Sequence, residues 1–209
     1  MKAIIFDFDG VVLDSVHVKT KAFAQLYSEY GNEIEQKVVD YHLLNGGISR
    51  FEKFKYYHKI FLGISLTNTQ ISELAESFSK IVYDKVCNSK FIPGAEEFLS
   101  YCSNKYLTFI CTGTPENEIM KILDQKNLSQ FFNSVHGSPK GKVEIIDEIL
   151  KSNHLAPSEV LFIGDAMTDY NASYKTHLDF IGVRNSDTQF PDDVILVDNL
   201  IEIIEIKDI

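Results

Sequence analysis

Short apolar runs recur along this chain at helix-length intervals, and that rhythm restricts its fold more than any other feature. Ala3 to Phe8, Tyr106 to Thr112, Val160 to Ile163, Phe180 to Val183 and Val194 to Val197 have the length and composition of strands buried on both faces. Such strands alternating with helices predict an α/β fold built on a doubly wound parallel sheet. Between the first and second runs the texture changes to helical periodicity with almost no strand signal. This predicts a helical domain over 16–90, inserted into an α/β core formed by 1–15 and 91–209. Within the insertion, Phe23, Leu26, Tyr27 and Tyr30 precede Gly31 at helical spacing, and Ile34, Val38 and Tyr41 continue the pattern. Ser49 with Glu52 and Thr67 with Gln70 have the spacing of capping boxes. Pro93-Gly94 marks the return to the core and a helix over Ala95 to Cys102, and the C-terminal NLIEIIEIKDI reads as a short amphipathic helix.

A formal charge of −10 disfavours nucleic acid or an anionic membrane as the main partner, since both require a basic surface. It also means that an anionic substrate needs local cations. Cys87, Cys102 and Cys111 lack metal-ligand spacing and read as reduced core thiols. The aspartates at 7 and 9 break any signal-peptide or membrane-span reading of the first residues, so a cytoplasmic protein is expected. The six histidines are scattered and read as surface or packing residues.

In FDFDG, residues 6 to 10, alternation along a strand turns Asp7 and Asp9 to one side and Phe6 and Phe8 to the other. Open parallel sheets bind ligands beyond the carboxyl ends of their strands, where these aspartates stand. One carboxylate there has the chemistry of a nucleophile toward phosphorus. The second suits protonation of a leaving oxygen and later deprotonation of water. The alternative is a polar turn before Gly10. FIGDAMTD, residues 162 to 169, repeats the device, with Asp165 and Asp169 about one helical turn apart. Oxygen ligands from Asp7 and Asp165 suit Mg²⁺, which offsets repulsion among the carboxylates and an incoming phosphate dianion. Alternatively, Asp165 caps the following helix. ICTGTPE ends a strand with Thr112 and Gly113, which offer a phosphate oxygen a hydroxyl and a closely approached amide, or simply turn the chain into a helix. GSPKGK places Lys140 and Lys142 before an amphipathic stretch; one supplies the missing cation, or both lie in solvent.

Taken in order, Asp7-Phe8-Asp9-Gly10, Thr112, a lysine at 142 or 140, and Gly164-Asp165 with Asp169 resemble the core motifs of the haloacid dehalogenase-like (HAD) superfamily over nearly the whole chain. Each motif is short, but their order, with a helical insertion after the first, is specific. The resemblance implies a Rossmann-like core, a helical cap of the C1 type, Mg²⁺ dependence and an aspartyl-phosphate intermediate. It implies that Asp7 is nucleophile and metal ligand, and that Asp9 is the general acid/base with its backbone carbonyl on the metal. Thr112 and Lys142 hold the phosphoryl group, and Asp165 and Asp169 complete the metal site. Lys142 is preferred to Lys140 because it adjoins the helical pattern.

Within the superfamily, Asp9 disfavours dehalogenation, because dehalogenases that attack carbon lack an acid there. The segment LNGGISRFEKF resembles the substrate-contacting cap loop of the β-phosphoglucomutase and phosphoglycolate phosphatase branch, matching at Gly46, Ser49 and Arg50. Gly47, Ser49 and Arg50 are thereby expected at the substrate. The histidine that the mutases carry beyond the first motif falls at Lys19 here, which favours hydrolysis. The expectation is a phosphatase acting on a small phosphorylated metabolite, with sugar phosphates in view. A phosphomutase is the nearest rival, and a non-catalytic, receiver-like phosphate-binding module is the alternative of another class. Nothing in the sequence indicates oligomeric state.

Overall fold

The computed structural model describes residues 1–207. Strands β1 (Ala3–Phe6), β2 (Leu107–Pro115), β3 (Ser134–Ser138), β4 (Val160–Gly164), β5 (Asp179–Val183) and β6 (Ile195–Val197) form a parallel six-stranded sheet in the order β3-β2-β1-β4-β5-β6. Four helices, α1 (Val16–Tyr27), α2 (Asn32–Leu44), α3 (Arg50–Tyr56) and α4 (Asn68–Cys87), follow β1 in sequence. The sheet is flanked by α5 (Ala95–Ser103), α6 (Glu116–Gln125), α7 (Lys142–Ser152) and α8 (Met167–Thr176), and α9 (Glu202–Lys207) follows β6. The two-residue period of β1 builds both faces: Ile4 and Phe6 pack with Phe98 and Ile119, while Ala3 and Ile5 pack with Ile145, Ile149 and Ala172.

This order puts β1 beside β4 at the point where the winding reverses, the place where open α/β sheets bind ligands. Phe6 is in register with Ile163, and the Asp7 amide donates to the Ile163 carbonyl at 2.9 Å, so the two aspartate motifs leave neighbouring strand ends together. β1 ends at Phe6 rather than Phe8. The cause is local: the Phe8 carbonyl accepts the amides of Val12 at 2.8 Å and Leu13 at 3.2 Å, which curls the chain into a tight loop. β2 runs on to Pro115, beyond the expected Thr112, and β3 (SVHGS) had no signal of its own. Small residues and a histidine carry little strand preference, and this edge strand is held by its pairing with β2.

The helical segment has an aromatic core. Phe23 meets Phe54, Tyr57 and Phe78 at ring-centroid distances of 5.7, 5.7 and 4.3 Å. The Thr67–Gln70 capping box forms as expected. The Ser49–Glu52 box does not: the Ser49 hydroxyl accepts the Phe51 amide at 3.3 Å, and Glu52 pairs with Lys55 at 2.7 Å. α3 then widens into a π-helical turn over Tyr57–Phe61. The two connections to the sheet run side by side, with Leu13 bridging Phe91, the Asp14 amide donating to Lys90 at 2.9 Å and the Ile92 amide to Val12 at 3.1 Å. Near the C-terminus, Leu200 and Ile203 are buried in the core, and residues 208 and 209 of the expected helix lie outside the described residues. Cys87, Cys102 and Cys111 are free and buried. Among the described residues, no helix is long and apolar enough to cross a membrane.

Candidate active site

Asp7, Asp165 and Asp169 converge from β1, the end of β4 and the first turn of α8. Each is buried, and each offers a carboxylate oxygen within 4.8 Å of the others. Gly10, at φ +82°, makes this possible, because a Cβ there runs into the Asp165 carboxylate. Crowding shows in the acidities. Burial, then the charges of Asp7 and Asp169, push the Asp165 carboxyl well above the ordinary range. Burial also pushes Asp169 up, to about 7, against the pull of Lys142.

Lys142 is the cation of this cluster. Its Nζ lies 3.0 Å from Asp7 Oδ2 and pairs with Asp169 Oδ1, and although burial opposes its charge, these carboxylates hold its pKa above the usual lysine value. Asp169 Oδ2 also accepts the Ala166 amide at 3.0 Å, which fixes the side chain to the start of α8. Asn185, which sequence reasoning missed, donates to the Asp165 carbonyl at 2.7 Å and to its carboxylate at 3.3 Å. Lys140, just before α7, is half exposed and pairs with Glu148 of that helix at 2.6 Å. Asp7 Oδ1 is buried and has no hydrogen-bond partner among the described residues. An orphan carboxylate oxygen beside two further carboxylates is the donor set that a hard divalent cation takes up, so the residues present fit Mg²⁺.

Asp9 sits in a different environment. It accepts Ser15 Oγ at 2.6 Å and Thr114 Oγ1 at 3.1 Å and pairs with Lys19, which also donates to Thr114 at 2.6 Å. Burial works to raise the Asp9 pKa, but the Lys19 charge and these hydrogen bonds outweigh it and hold the carboxyl below its ordinary value. The environments of the two motif aspartates thus differ, as two distinct chemical jobs require. Ser15 and Lys19 lie one helical turn apart just after the first motif, a spacing that was readable; the reach to Thr114 spans 95 residues and was not.

These groups open on a cavity of about 260 Å³, lined at the sheet by Asp7, Asp9, Thr112 and Gly113 and on the helical side by Phe23, His42 and Lys53. Thr112 is buried, and its hydroxyl accepts the Thr114 amide at 3.2 Å. The loop before α3 docks here: Thr168 donates to the Gly46 carbonyl, a Cβ on Gly113 runs into the Gly47 carbonyl, and Gly47 at φ +76° stands against Lys142 and Thr168. Gly47 thus lines the cavity. Arg50 and Ser49 are both held by partners within the protein. The Arg50 guanidinium is 4% exposed and is consumed by Glu118 of α6, at 2.5 and 2.9 Å, by Ser79 at 2.7 Å and by the Phe78 ring. It lines the cavity and also clamps the helical segment to the core, through an acidic partner 68 residues away, beyond the reach of pattern reading. Ser49 caps α3 and lines an adjoining cavity with Thr112, Gly113 and Lys142. The local cations that an acidic chain needs are nonetheless present: Lys19, Lys53 and Arg184 line the cavity at Asp7 along with Arg50.

Comparison with known proteins agrees with this geometry. Residues 4–183 match the family described as haloacid dehalogenase-like hydrolase. A phosphorylated carbohydrates phosphatase of Thermotoga maritima is 24% identical over 200 residues, covering 89% of this chain and 87% of its own. A phosphoglycolate phosphatase of Haemophilus influenzae is 22% identical over 190 residues, covering 87% and 85%. The crystal structure of a β-phosphoglucomutase from Clostridium difficile superposes with a TM-score of 0.81 at 22% identity, over 100% of this chain and 96% of that one, and shares the fold. With its motif aspartates gathered at the reversal point of such a sheet and the family match spanning most of its length, the chain belongs to the haloacid dehalogenase-like hydrolase family.

Proposed function

We propose that this protein is a Mg²⁺-dependent phosphatase of a small phosphorylated metabolite, acting through an aspartyl-phosphate on Asp7. The observation that carries the reading is the state of that side chain: Oδ2 is held by Lys142 at 3.0 Å while Oδ1 is left without a partner among the described residues. The Asp7 carboxylate attacks phosphorus, the bond to the leaving oxygen breaks, and that oxygen takes a proton from the Asp9 carboxyl. Asp9, now a carboxylate, removes a proton from water as the water attacks phosphorus, which releases phosphate and restores both side chains. Lys142 neutralises charge at the phosphoryl oxygens, and the Thr112 hydroxyl and Gly113 amide orient them. A divalent cation held by Asp7, Asp165, the Asp9 carbonyl and Asp169 supplies further charge compensation when bound. The helices over 16–90 act as a cap that excludes water, swinging on the paired connections at Leu13 and Phe91.

The relatives named for phosphorylated carbohydrates and phosphoglycolate support a small phosphorylated carbohydrate or acid as substrate. Lysine rather than histidine at position 19 supports hydrolysis over phosphoryl transfer between positions of one sugar. Inorganic phosphate is expected from an aryl phosphate and from members of a panel of phosphorylated metabolites, in Mg²⁺ and not after chelation. An isomerised hexose phosphate without free phosphate contradicts the phosphatase reading, as does turnover that survives chelation.

A further inference from the structure

The helical wall of the cavity holds a buried lysine. Lys53 is 2% exposed, and among the described residues no carboxylate lies within ion-pair reach of it. Its nearest polar neighbour is an imidazole: Nζ lies 2.7 Å from His42 Nδ1, and the Phe23 ring is 5.5 Å away. Buried ammonium groups are ordinarily paired. The other cations of the cavity obey that rule, with Arg50 held by Glu118 and Lys19 by Asp9. His42 carries a second anomaly. With Lys53 donating to Nδ1, the imidazole proton sits on Nε2, and Nε2 is buried without a partner. Of two neighbouring residues that line one cavity, His42 Nε2 thus lacks an acceptor and the ammonium of Lys53 has only the imidazole.

We propose that Lys53 and His42 form the seat for a carboxylate carried by the substrate at the end remote from its phosphoryl group. This inference rests on the phosphatase reading and narrows it to phosphate monoesters of small hydroxy acids. The chemistry selects the group. An acceptor with two oxygens satisfies both N–H groups, whereas a hydroxyl brings a donor of its own that meets only the aromatic wall of Phe23 and Phe78. A single negative charge balances the single ammonium, whereas a second phosphoryl dianion leaves an excess in a low-dielectric pocket. The pairing is costly to the protein: burial, then the positive charges of Lys19 and Lys142, drive the Lys53 pKa well below the ordinary lysine value against the pull of Asp9, and burial and Lys53 do the same to His42.

Binding separates this seat from the reaction. Titration calorimetry in Mg²⁺ is run with 3-phosphonopropionate and with 3-hydroxypropylphosphonate, which share a non-hydrolysable phosphonate and chain length and differ only in carboxylate against alcohol. The wild-type protein is expected to bind the carboxylate about tenfold or more tightly than the alcohol. Lys53→Met is expected to bring the two affinities together while its melting temperature stays level or rises, because an uncompensated buried charge is removed. His42→Phe is expected to reduce the preference in part. Equal affinity in the wild type overturns the inference and leaves the phosphatase reading standing, as does a preference that Lys53→Met does not change. Failure to bind either phosphonate, with no phosphate released from any monoester, overturns both.

Discussion

Asp7→Asn is expected to abolish phosphate release, by on the order of 10⁴-fold or more in kcat, while the protein stays folded. The amide keeps the shape of the carboxylate but has no oxygen able to attack phosphorus and form an acyl phosphate. Its effect on stability should run the other way. Asp7 is one of three buried carboxylates whose oxygens lie within 4.8 Å of one another, and repulsion from it is among the causes that push Asp165 and Asp169 up. Removing that charge relieves the cluster, and Lys142 keeps Asp169 as its partner. A melting temperature without Mg²⁺ that is equal to or above the wild-type value is expected, with the stabilisation that Mg²⁺ gives the wild type reduced. Turnover within tenfold of wild type contradicts the role given to Asp7.

Lys142→Met should have the largest effect on the fold itself. Its ammonium is the shared partner of Asp7 and Asp169, and its side chain is 7% exposed. Breaking a buried ion pair from one side leaves uncompensated charge, at a cost of about 3–5 kcal/mol. Urea unfolding should therefore show a clearly lowered midpoint, and residual activity should be very low. Combining it with Asp169→Asn separates the two roles, since the double variant has fewer unpaired charges and is expected to regain much of the stability but none of the turnover. If Lys142→Met alone matches the wild-type midpoint, the central position of this lysine is wrong.

The parts of the fold that were readable in the sequence are those in which residues near in sequence act together. The β1 and β4 runs are apolar because both faces of those strands are covered, and each ends in its own aspartates. The four helices of the insertion announce themselves through spacing, and Thr67 with Gln70 through cap chemistry. β3 failed because its residues carry no strand preference and depend on pairing with β2. In the site, Asp7, Asp9, Thr112, Lys142, Asp165 and Asp169 each stand in a short motif, and the structure brings them together. The partners that set their charge do not: Lys19 reaches Thr114, Arg50 reaches Glu118, and Asn185 reaches Asp165, each across a distance that no local pattern encodes. Arg50 is the clearest case. A guanidinium at a helix start looks free until the opposite wall is known, whereas Lys53, one turn further along the helix, has an imidazole as its nearest polar neighbour.

The acyl phosphate itself is the most direct object of measurement. An aryl phosphate has a leaving group that needs little protonation, so Asp9→Asn should still allow attack by Asp7 but lack the base that activates water. Rapid acid quench of that variant with an aryl phosphate in Mg²⁺, followed by mass spectrometry, should find a phosphoryl group on Asp7, discharged by hydroxylamine and formed with a burst of aryl alcohol. Steady release of phosphate by this variant with no phosphorylated protein, or phosphate on any other residue, contradicts nucleophilic attack by Asp7.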